Sequence, residues 1–222
     1  MLKSSTLNFL KGLKKNNNKA WFDQHREKYE QAKEDYCGFI QKLIDYHGKA
    51  DPGIKSLLST QCMFRINRDI RFSKDKSPYK TNFGASITMG GKKSGFAGYY
   101  FHCEPGESFI GGGIWMPMPP ALKKVRQEID YAFEEFSKII GSKKFKKVYG
   151  GIYREEGILL SKVPQGFEKD NPAAEYLKMK SYIALKSLSD VDLTSQKLFR
   201  QSTEAMETLY PLLQFLNKAL KD

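Results

Sequence analysis

The densest set of chemically able side chains runs from Phe64 to Thr81, where Arg65, Arg68, Arg71, Lys74, Lys76 and Lys80 stand against Asp69 and Asp75. Six cations against two anions leave a local charge of +4. Guanidinium forks bind phosphate or carboxylate through paired hydrogen bonds, and the stretch from Ser73 to Thr81 adds hydroxyls, the Tyr79 ring and the Lys80 ammonium. These groups suit an anion cradle whose ligand-binding residues are Arg65, Arg68, Asp69, Arg71, Tyr79 and Lys80, with Asp69 orienting guanidiniums rather than serving as a base. The competing reading is an Arg/Asp network that ties a strand to neighbouring helices while the lysines stay in solvent.

Such residues need a scaffold, and the hydrophobic pattern describes one. Phe64, Ile66, Ile70 and Phe72 alternate with Arg65, Asn67, Asp69 and Arg71, which predicts a strand over 63–72. Arg68 then falls on the apolar face, where it requires an ion pair or a bulge near Asn67 to Asp69. Further extended segments at 83–89, 97–103 and 108–115, joined by glycine- and proline-bearing turns at 90–95 and 104–107, make an antiparallel meander of about 61–115. Another extended segment falls at about 182–187.

Helical spacing dominates elsewhere. A short segment marked by Leu7, Leu10 and Leu13 stops at Asn16, Asn17 and Asn18, and a longer stripe from Trp21 to Leu43 predicts a helix over about 19–46. Pro119 and Pro120 open a helix over about 119–140, and a last helix covers about 194–220 with an interruption or kink at Pro211. The expected fold is α+β: one domain over 1–222, with N-terminal helices at about 5–46 and an antiparallel sheet, the 61–115 core plus about 182–187, covered by amphipathic helices.

The remaining candidates are weaker. Gly111, Gly112 and Gly113 sit in a strand, where glycine lets a ligand or another backbone approach closely; room for Tyr99, Tyr100 or Phe101 explains them better than a ligand does, and no helix follows to make a nucleotide fingerprint. His102 and Cys103 point to opposite faces of a strand and so form no Cys-His pair. No spacing of His, Cys, Asp and Glu reproduces a zinc motif, and no motif names a cofactor. Cys37, Cys62 and Cys103 are expected to be unpaired thiols.

The stretch from Arg65 to Thr81, with Asn17-Asn18-Lys19-Ala20-Trp21-Phe22 before it and Gly111-Gly112-Gly113-Ile114-Trp115-Met116-Pro117 after it, resembles the family called domain of unknown function 2461 over nearly the whole chain. The resemblance implies an intact stand-alone domain and names no substrate. It also implies Asp-His-Pro where this chain has Asp170-Asn171-Pro172, so no histidine mechanism is carried over to that place.

With 37 Lys and Arg against 25 Asp and Glu, the chain carries +12, a surface that attracts phosphates, nucleic acid or acidic partners. No apolar run approaches the roughly 20 residues that cross a bilayer, no secretory signal is read at the start, and the expected location is the cytoplasm. Three function classes follow in rank order. The first is binding of an anionic, phosphate-bearing ligand or nucleic acid through 65–80. The second is an enzyme acting on an anionic small molecule, with Asp69, His102 or Glu104 in reach of the arginines. The third is an interaction domain in which the Arg/Asp cluster only stabilises the fold.

Overall fold

The computed structural model describes residues 1–221, apart from the Glu156 side chain. Its helices are α1 (Ser4–Lys15), α2 (Lys19–Gln24), α3 (Arg26–His47), α4 (Ser59–Cys62), α5 (Pro119–Tyr131), α6 (Phe133–Gly141), α7 (Lys143–Tyr149), α8 (Ala174–Leu177), α9 (Asp190–Leu193) and α10 (Lys197–Leu220). Four strands, β1 (Phe83–Ile87), β2 (Gly98–Cys103), β3 (Ser108–Ile114) and β4 (Tyr182–Leu188), form one antiparallel sheet in the order β1-β2-β3-β4. This is the α+β fold expected from the sequence.

Strand alternation divides the sheet into two unlike faces. Phe83, Ala85, Ile87, Tyr99, Phe101, Cys103, Ile110, Tyr182 and Ala184 are buried on one face. There Tyr36 of α3 packs 5.4 Å from Phe83 and donates its hydroxyl to the Phe101 carbonyl at 2.7 Å, while Phe39 lies 5.3 Å from Phe101. Leu209 of α10 closes on Gly112 of β3, where an added Cβ would meet its methyl at 2.9 Å. The opposite face carries Ser86, Tyr100, His102, Phe109 and Leu185, all half-buried, and the exposed Ser187. An antiparallel sheet tolerates one accessible face in this way.

Local chemistry corrects several element boundaries. The helix read over 19–46 is two helices, because His25 leaves the helical range at φ −112 and its ring Nδ1 donates to the Trp21 carbonyl at 2.8 Å. The helix read over 119–140 breaks at Ala132, φ −116, and the last helix starts at Lys197 and runs through Pro211 without a break. The sheet begins at Phe83 and not at 61.

The expected strand over 63–72 is absent: 63–82 is irregular, touching extended partners only at the Met63–Ala85 and Asn67–Tyr79 bridges, and Phe72 is 94% exposed. Side chains there compete with a ladder for the backbone. Asp69 accepts from the Arg71 N–H, and Asp75 accepts from both the N–H and the hydroxyl of Ser77.

Cys37, Cys62 and Cys103 are all free. Burial pushes the Cys62 thiol up to about 11 and that of Cys103 up to about 12, far from the thiolate form that reacts. Iodoacetamide at pH 8 is therefore expected to leave Cys62 and Cys103 unmodified in the folded protein and to label both after denaturation. Peptide mass spectrometry reads the outcome.

Candidate functional site

The basic segment folds as a closed loop with two extended arms. Arg68 N–H donates to the Pro78 carbonyl at 2.9 Å and Lys80 N–H to the Ile66 carbonyl at 2.8 Å, so 66–68 and 78–80 run side by side. The Asn17 side-chain amide completes the arm in place of a missing strand: its Nδ2 donates to the Tyr79 carbonyl at 2.9 Å and its Oδ1 accepts from the Tyr79 N–H at 3.1 Å. Tyr79 is buried, with its ring stacked 4.1 Å from Phe22. It anchors the loop to α2.

The six residues picked from the sequence separate into two groups. Arg68 pairs with Asp75 and donates to the Ser77 carbonyl at 3.2 Å and the Ser73 hydroxyl at 3.4 Å, so it staples the loop from within. The ion pair expected for this arginine forms, although the strand whose alternation called for it does not. Arg71 forks onto Asp69, Nε to Oδ1 at 2.9 Å and Nη2 to Oδ2 at 2.7 Å, and both are exposed. Asp69 is held below the usual carboxylate range by those bonds. Arg68, Asp69, Arg71 and Tyr79 thus have partners within the chain.

Arg65 and Lys80 stand outside both ion pairs. Neither forms an ion pair among the described residues. Arg65 is exposed, and its charge reaches both Asp69 and Lys80. Lys80 is half-buried, and burial first, then the Arg65 charge, push its ammonium below the ordinary lysine value. Its Nζ sits 5.4 Å from the centre of the Phe64 ring, with Lys92 Nζ at 5.9 Å from the same ring.

Beside these cations lies the accessible sheet face. Phe64 meets Tyr100 at 6.3 Å, Tyr100 meets Phe109 at 5.8 Å, and Phe109 stacks on His102 at 4.8 Å and 8°. His102 Nε2 lies 3.1 Å from Glu104 Oε2 and its Nδ1 lies 3.4 Å from the Tyr100 hydroxyl. Burial alone would raise the Glu104 carboxyl, and hydrogen bonds from Thr81, His102 and Asn82 outweigh it, holding the group ionised below its ordinary value. The carboxylate accepts from His102 Nε2–H, and Nδ1 is the ring atom that faces the Tyr100 hydroxyl.

The family model for conserved hypothetical proteins called DUF2461 matches residues 5–215. The chain belongs to this family. No curated protein and no solved structure matches it. The DUF2461 match spans Asn17, the basic loop and the sheet alike, so the arm, its amide brace and the face beside it all fall inside the family's extent.

Sequence reasoning missed Phe64, Tyr100, His102 and Phe109 as one surface. Alternation along β2 and β3 places Tyr100, His102 and Phe109 on one side, but their register across the two strands, Tyr100 with Gly111 and His102 with Phe109, is visible only once the sheet is assembled. The glycine run answers to close backbone approach, one of the causes expected, and not to the one ranked first. At Gly111, Gly112 and Gly113 an added Cβ would lie 2.1, 2.1 and 2.0 Å from backbone oxygens of Ala184, Gly98 and Tyr182, so neighbouring strands require glycine there and not the rings of β2.

An enclosed space lies elsewhere. A cleft of about 510 Å³ opens between 51–54, the ends of β1 and β2, and α10, and it contains none of the six residues picked from the sequence. At its inner wall Tyr99 donates to Asp51 Oδ2 at 3.0 Å and accepts from His47 Nε2 at 2.8 Å, and the buried His47 Nδ1 has no partner. Burial lowers His47 below the ordinary value of 6.5. The unfolded chain then takes up a proton where the folded chain does not, so stability present above 6.5 is lost as pH falls through the folded value. Urea midpoints at pH 7.5 and 5.5 are expected to fall on acidification, and the fall is expected to shrink in His47→Gln.

Proposed function

We propose that this protein binds an anionic, phosphate-bearing ligand where Arg65 and Lys80 meet the accessible sheet face. The supporting observation is the state of Lys80: a half-buried ammonium, depressed by burial and by a neighbouring guanidinium, with no carboxylate to answer it among the described residues. Two neighbouring cations, neither of them in an ion pair among the described residues, repel one another in the folded chain, and an anion seated between them relieves it. Arg68–Asp75 and Arg71–Asp69 hold the loop in shape, so the structural-network reading describes that half of the segment and the ligand reading the other half. The continuous hydrophobic core supports treating the whole chain as a single domain.

Thermal unfolding with phosphate, sulfate, nucleotides and short nucleic acids tests this reading. At a hundredfold excess over Kd a native-state ligand adds about 2.7 kcal/mol, a Tm rise of about 5 to 10 °C for a chain of this size. No rise with any of these anions, or a rise retained in Arg65→Ala/Lys80→Ala, overturns it.

An enzyme acting on an anionic small molecule is the second reading, favoured by the Glu104–His102–Tyr100 chain of hydrogen bonds beside the cations. Phosphate release from phosphomonoesters, abolished in His102→Gln, would support it. The absence of release would leave binding alone.

A further inference from the structure

We infer that the accessible face of the sheet is a platform for single-stranded nucleic acid, which rests on the anion site proposed above and names its ligand. The argument begins with the shape of the face. Tyr100 lies down across β1: a Cβ on Gly84 would come within 2.4 Å of its hydroxyl and 3.1 Å of its ring. Glycine at that position lets the ring rest flat on the sheet instead of standing out from it. Phe109 lies beside it at 5.8 Å, on the neighbouring strand. The result is a floor of tilted rings, Phe64 and Tyr100 at 56° and Tyr100 and Phe109 at 38°, with Phe109 stacked on His102 and the half-buried rings of Tyr100 and Phe109 partly open to solvent.

The cations stand at one border of this floor. Lys80 and Lys92 both approach the 38% exposed Phe64 ring, which itself touches Tyr100, and Arg65 adjoins Phe64 in the chain. Rings and cations are therefore contiguous, in the arrangement by which proteins stack unpaired bases while lysine and arginine follow the phosphates. The shallow form favours an extended ligand over a small molecule, which concave sites hold best. The clefts of about 510 and 630 Å³ line α10 and include none of these rings. A duplex hides its base faces in its own stack and offers this floor nothing but phosphates. The formal charge of +12 adds long-range attraction for any polyanion, so the rings are what distinguish single strands from duplex.

Fluorescence anisotropy with end-labelled ten-nucleotide DNA and RNA single strands, and the matching duplexes, tests the inference on the full chain. Single strands are expected to bind at least tenfold more tightly than duplex. Three phosphate contacts give a slope of about −2 for log K against log salt. Tyr100→Leu and Phe109→Leu are each expected to weaken single-strand binding about tenfold while leaving the salt slope unchanged. Phe109→Leu keeps the test valid should Tyr100→Leu fail to fold, as judged by circular dichroism. Duplex binding equal to or tighter than single-strand binding, or single-strand binding unmoved by a folded ring variant, overturns the inference. If inorganic phosphate still raises Tm in an Arg65- and Lys80-dependent manner, the anion site survives that result. If phosphate, nucleotides and nucleic acids all leave Tm unmoved, both readings fall together.

Discussion

Gly113→Ala is expected to remove most or all of the stability of this protein. The residue holds φ +125, where L side chains are strained, and its Cβ would lie 2.0 Å from the Tyr182 carbonyl oxygen and 2.8 Å from the Ile183 Cα. Both are backbone atoms of β4, fixed by a ladder that runs from Ser108–Leu188 to Ile114–Tyr182, so no flexible side chain can turn aside. Strain at such a φ costs about 1–3 kcal/mol. Opening the β3–β4 ladder adds more, and a total above about 4 kcal/mol approaches the stability of a typical domain. Gly91→Ala separates the two contributions: it has φ +87 with nothing within 4 Å of its Cβ, so only the conformational cost of about 1–2 kcal/mol applies. Urea midpoints that fall equally in both variants would show that the clash with β4 is relieved and that the sheet is looser than described.

The second large effect concerns binding. Arg65→Ala and Lys80→Ala each remove a charged hydrogen-bond donor, a loss of about 1.5–3 kcal/mol apiece, so affinity for phosphate-bearing ligands is expected to fall at least a hundredfold in the double variant. Without ligand, Lys80→Gln should unfold at the same temperature as the parent chain or a higher one, because a depressed, half-buried ammonium is a burden on the free protein. Arg68→Ala is expected to behave in the opposite way, lowering Tm without a matching specific loss of affinity, since it frees the loop that Asp75, Ser77 and Ser73 close. Isothermal titration calorimetry beside thermal unfolding separates the two patterns. A loss of stability in Lys80→Gln comparable to that in Arg68→Ala would place Lys80 in the structural network.

The sequence made the sheet legible because turn chemistry and alternation agree there: the glycines at 90–95 and the Pro105-Gly106 turn stand between runs of period two, and the strands lie within those limits. Alternation over 63–72 was just as regular on paper yet made no strand. Asp69, Asp75 and Ser77 bond to nearby backbone groups, and local bonds of this kind carry no hydrophobic period. The helix breaks at His25 and Ala132 were hidden for a related reason, as neither carries the proline or glycine that marks a stop.

Within the basic segment, residue type identified the cations. Which of them are neutralised depends on distances across the loop, and these separate Arg68 and Arg71 from Arg65 and Lys80. The accessible face was legible only in part. The side of β2 that carries Tyr100 and His102 follows from alternation, but their meeting with Phe64, from a segment without regular structure, does not.

The central claim rests on one ammonium group, and its own titration tests it most directly. With lysines labelled with carbon-13 at Cε, the Lys80 signal can be assigned by its loss in Lys80→Arg and followed against pH by NMR, with and without inorganic phosphate. Lys80 is expected to titrate below the ordinary lysine value in the free protein, and its pKa should rise when phosphate is added, because a bound anion favours the charged form. A Lys80 titration at the ordinary lysine value, or a depressed value that phosphate leaves unchanged, would contradict the account.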